Sequence, residues 1–546
     1  MFTYFHCYHP DTWEAQIKAG FIDEHAGVRF MQTATLDEKL KFNVLAAKGS
    51  PFYNMMLNNP MPMYIDRLQG GCVFEDYKYD WSLVDCYREM LGDKFLGFQM
   101  HEWMNNLASD LRRIEECIGE LEWTAENITR TVNEKHPMNY LWLEAQTAQE
   151  YENCGKINTA EELIEATQKL FRKRFDLCRG QLIPCDSYGL AHQTEINTGI
   201  KYFMPEVGAQ TPDTRVQLAY ARGMARTKNT TFGIYYEPWG GKPFSTCCYH
   251  RENENEWGIK GLGDLAYEAM GNNGGSSRSL QKRIQLYGYF AGADFISEEW
   301  GMCNTFYDWK AFEITPYGQI KLDFLKLIRK YPKEKIGTPY TPVAVVLPKD
   351  LFGIAGLDDG ENQTILGYPF SADTAEKMHK IRKSIKALLS NPSDMVGSEA
   401  RNIINSDIPD CIDIIHEDYI NLHKDYKFFV DLTDNPDFAK NHNCISVEEA
   451  PEVLKMSLPC EVSGGVHWFV NKTEEGWLLV MFNNSGVERS VEKGEYILAE
   501  GTRIAEVRLK NSQELVVLEN TGKVCFENGI YNIEICPGEW FLAKFK

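Results

Sequence analysis

Two segments of this chain carry a glutamate among aromatic neighbours: GFQMHEW, residues 97–103, which holds His101, Glu102 and Trp103, and GIYYEPWGG, residues 233–241, which holds Tyr235, Glu237 and Trp239. A pair of carboxyl groups can divide acid and nucleophilic work. One protonates a leaving oxygen while the other attacks the neighbouring carbon or activates a water, which is what cleavage of a glycosidic bond requires. Trp103, Trp239 and Trp300 each stand beside an acid, and an indole offers a flat apolar face to the C–H-rich side of a sugar. Further polar groups that could line such a site are Asp66, Arg67, Asp186, Glu206, Glu298 and Glu299.

All of these residues lie at or just beyond the ends of short apolar or β-branched runs. Eight such runs, at 2–8, 27–33, 63–67, 95–101, 180–186, 201–206, 231–237 and 293–299, alternate with helix-compatible stretches that include 80–91, 160–175, 213–226, 277–291 and 318–331. Repeated βα units predict a parallel sheet, and eight of them predict a (β/α)₈ TIM barrel over 1–335. The C-terminal ends of its strands ring one mouth, so acids distant in sequence converge there. A single acid at a strand end commonly caps a helix or holds a salt bridge; the convergence of several argues for a cleft. The count has an alternative: with 27–33 as the first strand, 342–347 becomes the eighth, and Glu298 or Glu299 becomes the nucleophile. The helix expected at 318–331 favours the first count, as does the glutamate it gives to both strand four and strand seven.

The stretch 107–175 reads as a helical insertion on the rim. Beyond the barrel, 336–455 reads as a Rossmann-like or flavodoxin-like α/β domain, and 456–546, with alternating segments such as VHWFVN and GWLLVMFNN, as an antiparallel β-sandwich. The 546 residues exceed what one core supports, in line with several domains. A net charge of −21 disfavours nucleic acid and anionic membranes as partners. Fifteen cysteines, an odd number without framework spacing, predict reduced thiols in a cytoplasmic protein, and the first residues do not read as a signal peptide. No apolar run is long enough to span a bilayer.

Other motifs lead nowhere. Residues 261–266 match G-x-G-x-x-A but follow a hydrophilic stretch instead of a strand. His101-Glu102 opens like a zinc-protease helix, yet Asn105 stands where the second histidine belongs. Neither a cofactor nor a metal is expected.

With the glutamates at the ends of the fourth and seventh runs, the chain resembles the clan A glycoside hydrolases. The resemblance implies Glu102 as acid/base and Glu237 as nucleophile of a retaining reaction on an oligosaccharide or glycoside. The order of barrel, α/β domain and sandwich, with YTPVAVVL after the eighth unit, is similar to the family 42 β-galactosidases. One departure stands out: clan A usually carries Asn-Glu at strand four, and this chain carries His101-Glu102. An aromatic neighbour and partial desolvation should raise the Glu102 pKa, and a tyrosine hydroxyl should hold Glu237 ionised. Two other readings are a catalytically silent carbohydrate-binding barrel and a metal-dependent lyase or isomerase using Asp66, Asp186, His192 and Glu206. A homo-oligomer is possible on either count.

Overall fold

Successive side chains of a strand point to opposite faces, so a closed parallel barrel needs one set of residues to fill its lumen and another to meet the surrounding helices. The structure, a computed structural model, describes residues 1–8, 10–31, 54, 57–58, 61–66, 82–135, 145–186, 191–208, 213–237, 277–298, 305–306, 311–349, 364–365, 367–390, 396, 403–418, 426–490, 494–511, 514–520 and 522–546. Strands β1 (Thr3–Tyr8), β2 (Ala26–Met31), β3 (Met63–Asp66), β4 (Phe95–His101), β5 (Leu182–Asp186), β6 (Tyr202–Gly208), β7 (Thr231–Glu237) and β8 (Phe295–Glu298) pair in parallel in that order, and β8 returns to β1.

Phe5, Tyr64, Ile183, Cys185, Met204, Tyr235 and Phe295 pack together inside the barrel. The residues between them, among them Tyr4, Ile65, Leu182, Phe203, Ile234 and Ile296, join the larger core under the helices. Space in the lumen is tight. A Cβ on Gly233 would lie 2.3 Å from the Phe295 ring, so β7 carries glycine where β8 extends a phenylalanine across the interior.

The expected helices form, at Ser82–Leu91, Ala160–Leu177, Thr214–Lys228, Arg278–Phe290 and Pro316–Lys330. Their starts have chemical causes: Thr159 and Glu162 make a capping box, while Ser277 and Thr315 cap with their hydroxyls, the latter ahead of a proline. Among the described residues, the long stretch after β4 holds the helices Trp103–Ile118, Ala125–Lys135, Ala145–Glu152 and Ala160–Leu177.

Val343–Leu347 does not enter the barrel. It is the centre of a second parallel sheet, between Ile412–His416 and Phe428–Asp431, with Cys444–Ile445 at the edge. The first strand count therefore holds. Among the described residues two larger antiparallel sheets follow, one of four strands from Cys460–Ser463 to Ile530–Ile535 and one of five built on His467–Thr473, Gly476–Phe482 and Trp540–Phe545, with a two-stranded one of Val487–Ser490 and Gly494–Ile497.

Buried charge ties these layers together. Helix Thr214–Lys228 lies so close to strand Ile412–His416 that a Cβ on Gly223 would come within 2.2 Å of the Ile414 carbonyl oxygen. Across this contact Arg222 Nε meets Asp413 Oδ1 at 2.6 Å and Arg226 meets Oδ2 at 2.8 Å, with Tyr426 and Thr341 donating to the same carboxylate. Burial works against the ionised Asp413, but the two guanidinium groups outweigh it and hold the carboxyl below its usual range. Asp410 accepts from Tyr287 of the barrel and from His467 of the sandwich. Removing one member of such a buried pair leaves an uncompensated charge, at a cost of about 3–5 kcal/mol.

His416 sits in the same junction. Its Nδ1 donates to the Pro348 carbonyl at 2.7 Å and its Nε2 accepts from the Tyr220 hydroxyl, an arrangement only the neutral ring can make. Burial pulls His416 and His467 down to about 4. The unfolded chain titrates near 6.5, so on acidification it takes up protons that the folded protein refuses; stability is complete above about pH 6.5 and falls toward pH 4. Each histidine adds up to about 1.4 kcal/mol per pH unit within that window. Urea unfolding should show His416→Gln less stable than wild type at neutral pH but flatter in its pH dependence; identical slopes for the two proteins would contradict the assignment.

Candidate active site

The lumen changes character toward the C-terminal ends of the strands. Above the apolar floor stand Arg29 of β2, Gln99 and His101 of β4, Cys185 of β5, Glu206 of β6, Tyr235 of β7 and Ser297 of β8, all buried. The His101 ring meets the Tyr235 ring edge-on at 5.6 Å, and the Arg29 guanidinium lies 5.0 Å from the centre of the same tyrosine. Arg29 also donates to the Glu298 backbone carbonyl, and Tyr64 and Ser297 share a hydrogen bond. The Gln99 amide is 3.4 Å from His101 Nδ1. One ligand-type atom from each of His101, Cys185 and Glu206 lies within 4.8 Å of the other two. Buried polar groups cost free energy unless they are satisfied, and this is the face where barrel enzymes keep their active sites.

Glu102 follows directly. It breaks from β4 into the left-handed region, with φ 42° and ψ 45°, and caps helix Trp103–Ile118. For a residue with a Cβ that backbone costs roughly 1–2 kcal/mol, and strain of this kind persists where its surroundings enforce it. They do so here from both sides. The Glu102 N–H donates to the Cys185 carbonyl at 2.6 Å, and its own carbonyl accepts from Asn106 N–H at 2.9 Å. The Asn106 side chain returns to the His101 carbonyl at 2.8 Å, and Asp186 receives the Met104 N–H at 3.0 Å. Trp103 is pinned by its indole N–H on Glu195 at 2.8 Å, and Glu195 in turn holds His192 at 2.6 Å. The result is a carboxylate, 32% exposed, held at the mouth with Oε2 3.8 Å from His101 Nε2.

Of the residues singled out from the sequence, His101, Glu206 and Tyr235 meet in the lumen beside Glu102. Three others face away, and the reason is strand parity or helix rotation. Asp186 follows the inward Cys185 and therefore points outward, where it caps a helix. Glu298 follows the inward Ser297; it pairs with Lys321 and accepts from Tyr4 and Gln285 in the layer between barrel and helices. Trp103 begins a helix and packs against Phe171, ring centres 4.4 Å apart, at 1% exposure, so no sugar can stack on it. The metal set of Asp66, Asp186, His192 and Glu206 is not assembled either, because His192 is enclosed with Glu195, Phe203 and Tyr220.

Asp66 and Glu237 are the last residues of β3 and β7, at the same parity as the inward Tyr64 and Tyr235; their side chains lie outside the described residues, as do Arg67, Trp239, Glu299 and Trp300 entirely. Sequence reasoning missed Arg29, Gln99, Cys185, Tyr64 and Ser297. Counting every second residue back from the strand ends would have found Gln99 and Tyr64, and an arginine inside the apolar run GVRFM was a signal in its own right.

No family model matches the chain, and no curated protein matches its sequence. Among solved structures, a β-galactosidase from the Antarctic haloarchaeon Halorubrum lacusprofundi aligns over 99% of this chain and 98% of its own, at 10% identity and a TM-score of 0.44. The α-L-fucosidase isoenzyme 2 from Paenibacillus thiaminolyticus aligns over 89% and 87%, at 9% identity and a TM-score of 0.39. Scores and identities this low are no ground for assigning an activity.

If the left-handed turn at Glu102 stores strain, a glycine there should relieve it. Glu102→Gly is expected to be more stable than Glu102→Ala by about 1 kcal/mol, against the usual penalty of glycine in folded chains. Equal stability of the two, or a more stable alanine variant, in urea unfolding would remove the strain from the account.

Proposed function

We propose that the chain is a retaining glycoside hydrolase in which Glu102 is the acid/base and Glu237 the nucleophile. The observation that carries this reading is the strained, braced position of Glu102 at the mouth of the barrel, on β4, with Glu237 ending β7 at inward parity on the same rim. In the first step Glu102 protonates the glycosidic oxygen while Glu237 attacks the anomeric carbon; the bond to the leaving group breaks as the bond to the carboxylate forms. Glu102 then takes a proton from water, which displaces Glu237 and returns the sugar with its original configuration.

His101 and Glu206 line the site beneath the sugar, with the Arg29 guanidinium against the Tyr235 ring beside them. His101 replaces the asparagine usual in the clan, so the contact that this asparagine makes to the sugar 2-hydroxyl is not carried over to this chain. The ten cysteines among the described residues whose state is defined are all free thiols, which supports a reducing compartment such as the cytoplasm. Among the described residues no helix is long and apolar enough to cross a membrane.

A panel of nitrophenyl glycosides tests the reading. Wild type should hydrolyse at least one of them. Glu102→Ala should lose about 10²–10⁴-fold on substrates whose leaving group needs protonation and much less on activated ones. Azide should restore its second step, and Glu237→Ala should lose turnover on every substrate. Near wild-type hydrolysis of an activated glycoside by Glu237→Ala would overturn the assignment, and no hydrolysis of any glycoside by wild type would favour a silent carbohydrate-binding barrel.

A further inference from the structure

The inward faces of β4, β5 and β6 place an imidazole, a thiol and a carboxylate side by side. His101 and Cys185 are register partners, Cys185 pairs with Met204, and Glu206 lies one inward position beyond Met204. All three are buried, at 6%, 0% and 2% exposure, and a donor atom of each lies within 4.8 Å of the other two. We propose that His101, Cys185 and Glu206 form a binding site for a borderline-soft divalent cation, zinc in the first instance, with its fourth position open toward the barrel mouth.

The donor set fits that metal. Zinc takes nitrogen, thiolate and carboxylate ligands at about 2.0–2.3 Å in a tetrahedron, which puts ligand atoms about 3.3–3.8 Å apart, so no pair of the three has to close by more than about 1.5 Å. Binding displaces the Cys185 proton. The thiolate and the Glu206 carboxylate together then balance a dication in a site with little water to do so. A hard cation such as magnesium would not choose a sulfur ligand.

The surroundings supply what a metal-bound histidine needs. His101 has the Gln99 amide against Nδ1, and with the amide turned to present its oxygen, Nδ1–H is held and the Nε2 lone pair is directed at the cation. Three protein ligands with one open position is the pattern of a zinc site that binds a further molecule, in contrast to a closed structural one. Glu102 stands next to that opening, its carboxylate 3.8 Å from His101 Nε2. Use of the open position for a sugar hydroxyl rests on the glycosidase reading; the binding itself does not.

Cobalt reports on this without any assay of activity. Chelator-treated full-length chain titrated with Co²⁺ should develop a near-ultraviolet thiolate-to-cobalt charge-transfer band together with visible bands of four-coordinate intensity, saturating at about one metal per chain, and Zn²⁺ should abolish both. Cys185→Ser should lose the charge-transfer band while keeping its thermal melting, and Glu206→Gln should bind Zn²⁺ at least tenfold more weakly. A folded wild-type chain that gives no sulfur band, or a Cys185→Ser variant that gives the same one, overturns the proposal. Because the wild-type spectrum decides alone, a variant that fails to fold leaves the test intact. Metal uptake without glycoside hydrolysis upholds this site and counts against the preceding reading; hydrolysis without metal uptake does the reverse.

Discussion

Side-chain alternation in a closed barrel decides which groups of this protein can reach a substrate. Eight strands leave a lumen just wide enough for their own side chains, so every inward residue competes for the same volume and every outward one belongs to the helices. Phe5, Tyr64 and Phe295 seal the lower part. Only above them is there a place for Arg29, His101, Cys185, Glu206 and Tyr235, and this concentration of polar groups in an otherwise apolar interior makes the upper end a site.

The outward residues are not idle. Asp186, Trp103 and Asn106 are not among the inward side chains of the strands, yet they hold the first turn of the helix that begins at Trp103 and so fix the left-handed step at Glu102. The unfavourable backbone at one residue is met by several hydrogen bonds around it, the arrangement expected where positioning matters more than stability. A similar logic runs through the junction of the barrel with the second parallel sheet, where Arg222 and Arg226 pair with Asp410 and Asp413 at a contact of helix on strand.

Much of this was legible in the residues, and what was hidden has physical causes. The eight runs appear as strands within a few residues of their expected limits; 95–101 and 231–237 agree outright, and 2–8 begins one residue later as Thr3–Tyr8. The run at 342–347 was ambiguous because a buried parallel strand looks the same in either sheet; pairing alone placed it. Reading acids by their place at a strand end ignored parity, which turned Asp186 and Glu298 from expected ligand contacts into a helix cap and an ion pair. Trp103 misled for a related reason, since a residue that opens a helix is rotated about 100° from its predecessor and need not share its neighbours. Cys185 carried no signal at all, because a buried cysteine in a strand is ordinarily just a small apolar residue.

The most direct test of a retaining site built on Glu102 and Glu237 is to trap its intermediate. The chain would be treated with a 2-deoxy-2-fluoro glycoside of the sugar it hydrolyses fastest, carrying a good leaving group, and then digested for mass spectrometry. The account predicts one fluorosugar per chain, esterified to the peptide that contains Glu237, because the fluorine slows both oxocarbenium-like steps while the good leaving group speeds only the first, so the ester accumulates. Label on a different carboxylate, such as Glu299, or steady turnover of that reagent with no covalent species at all, would contradict it.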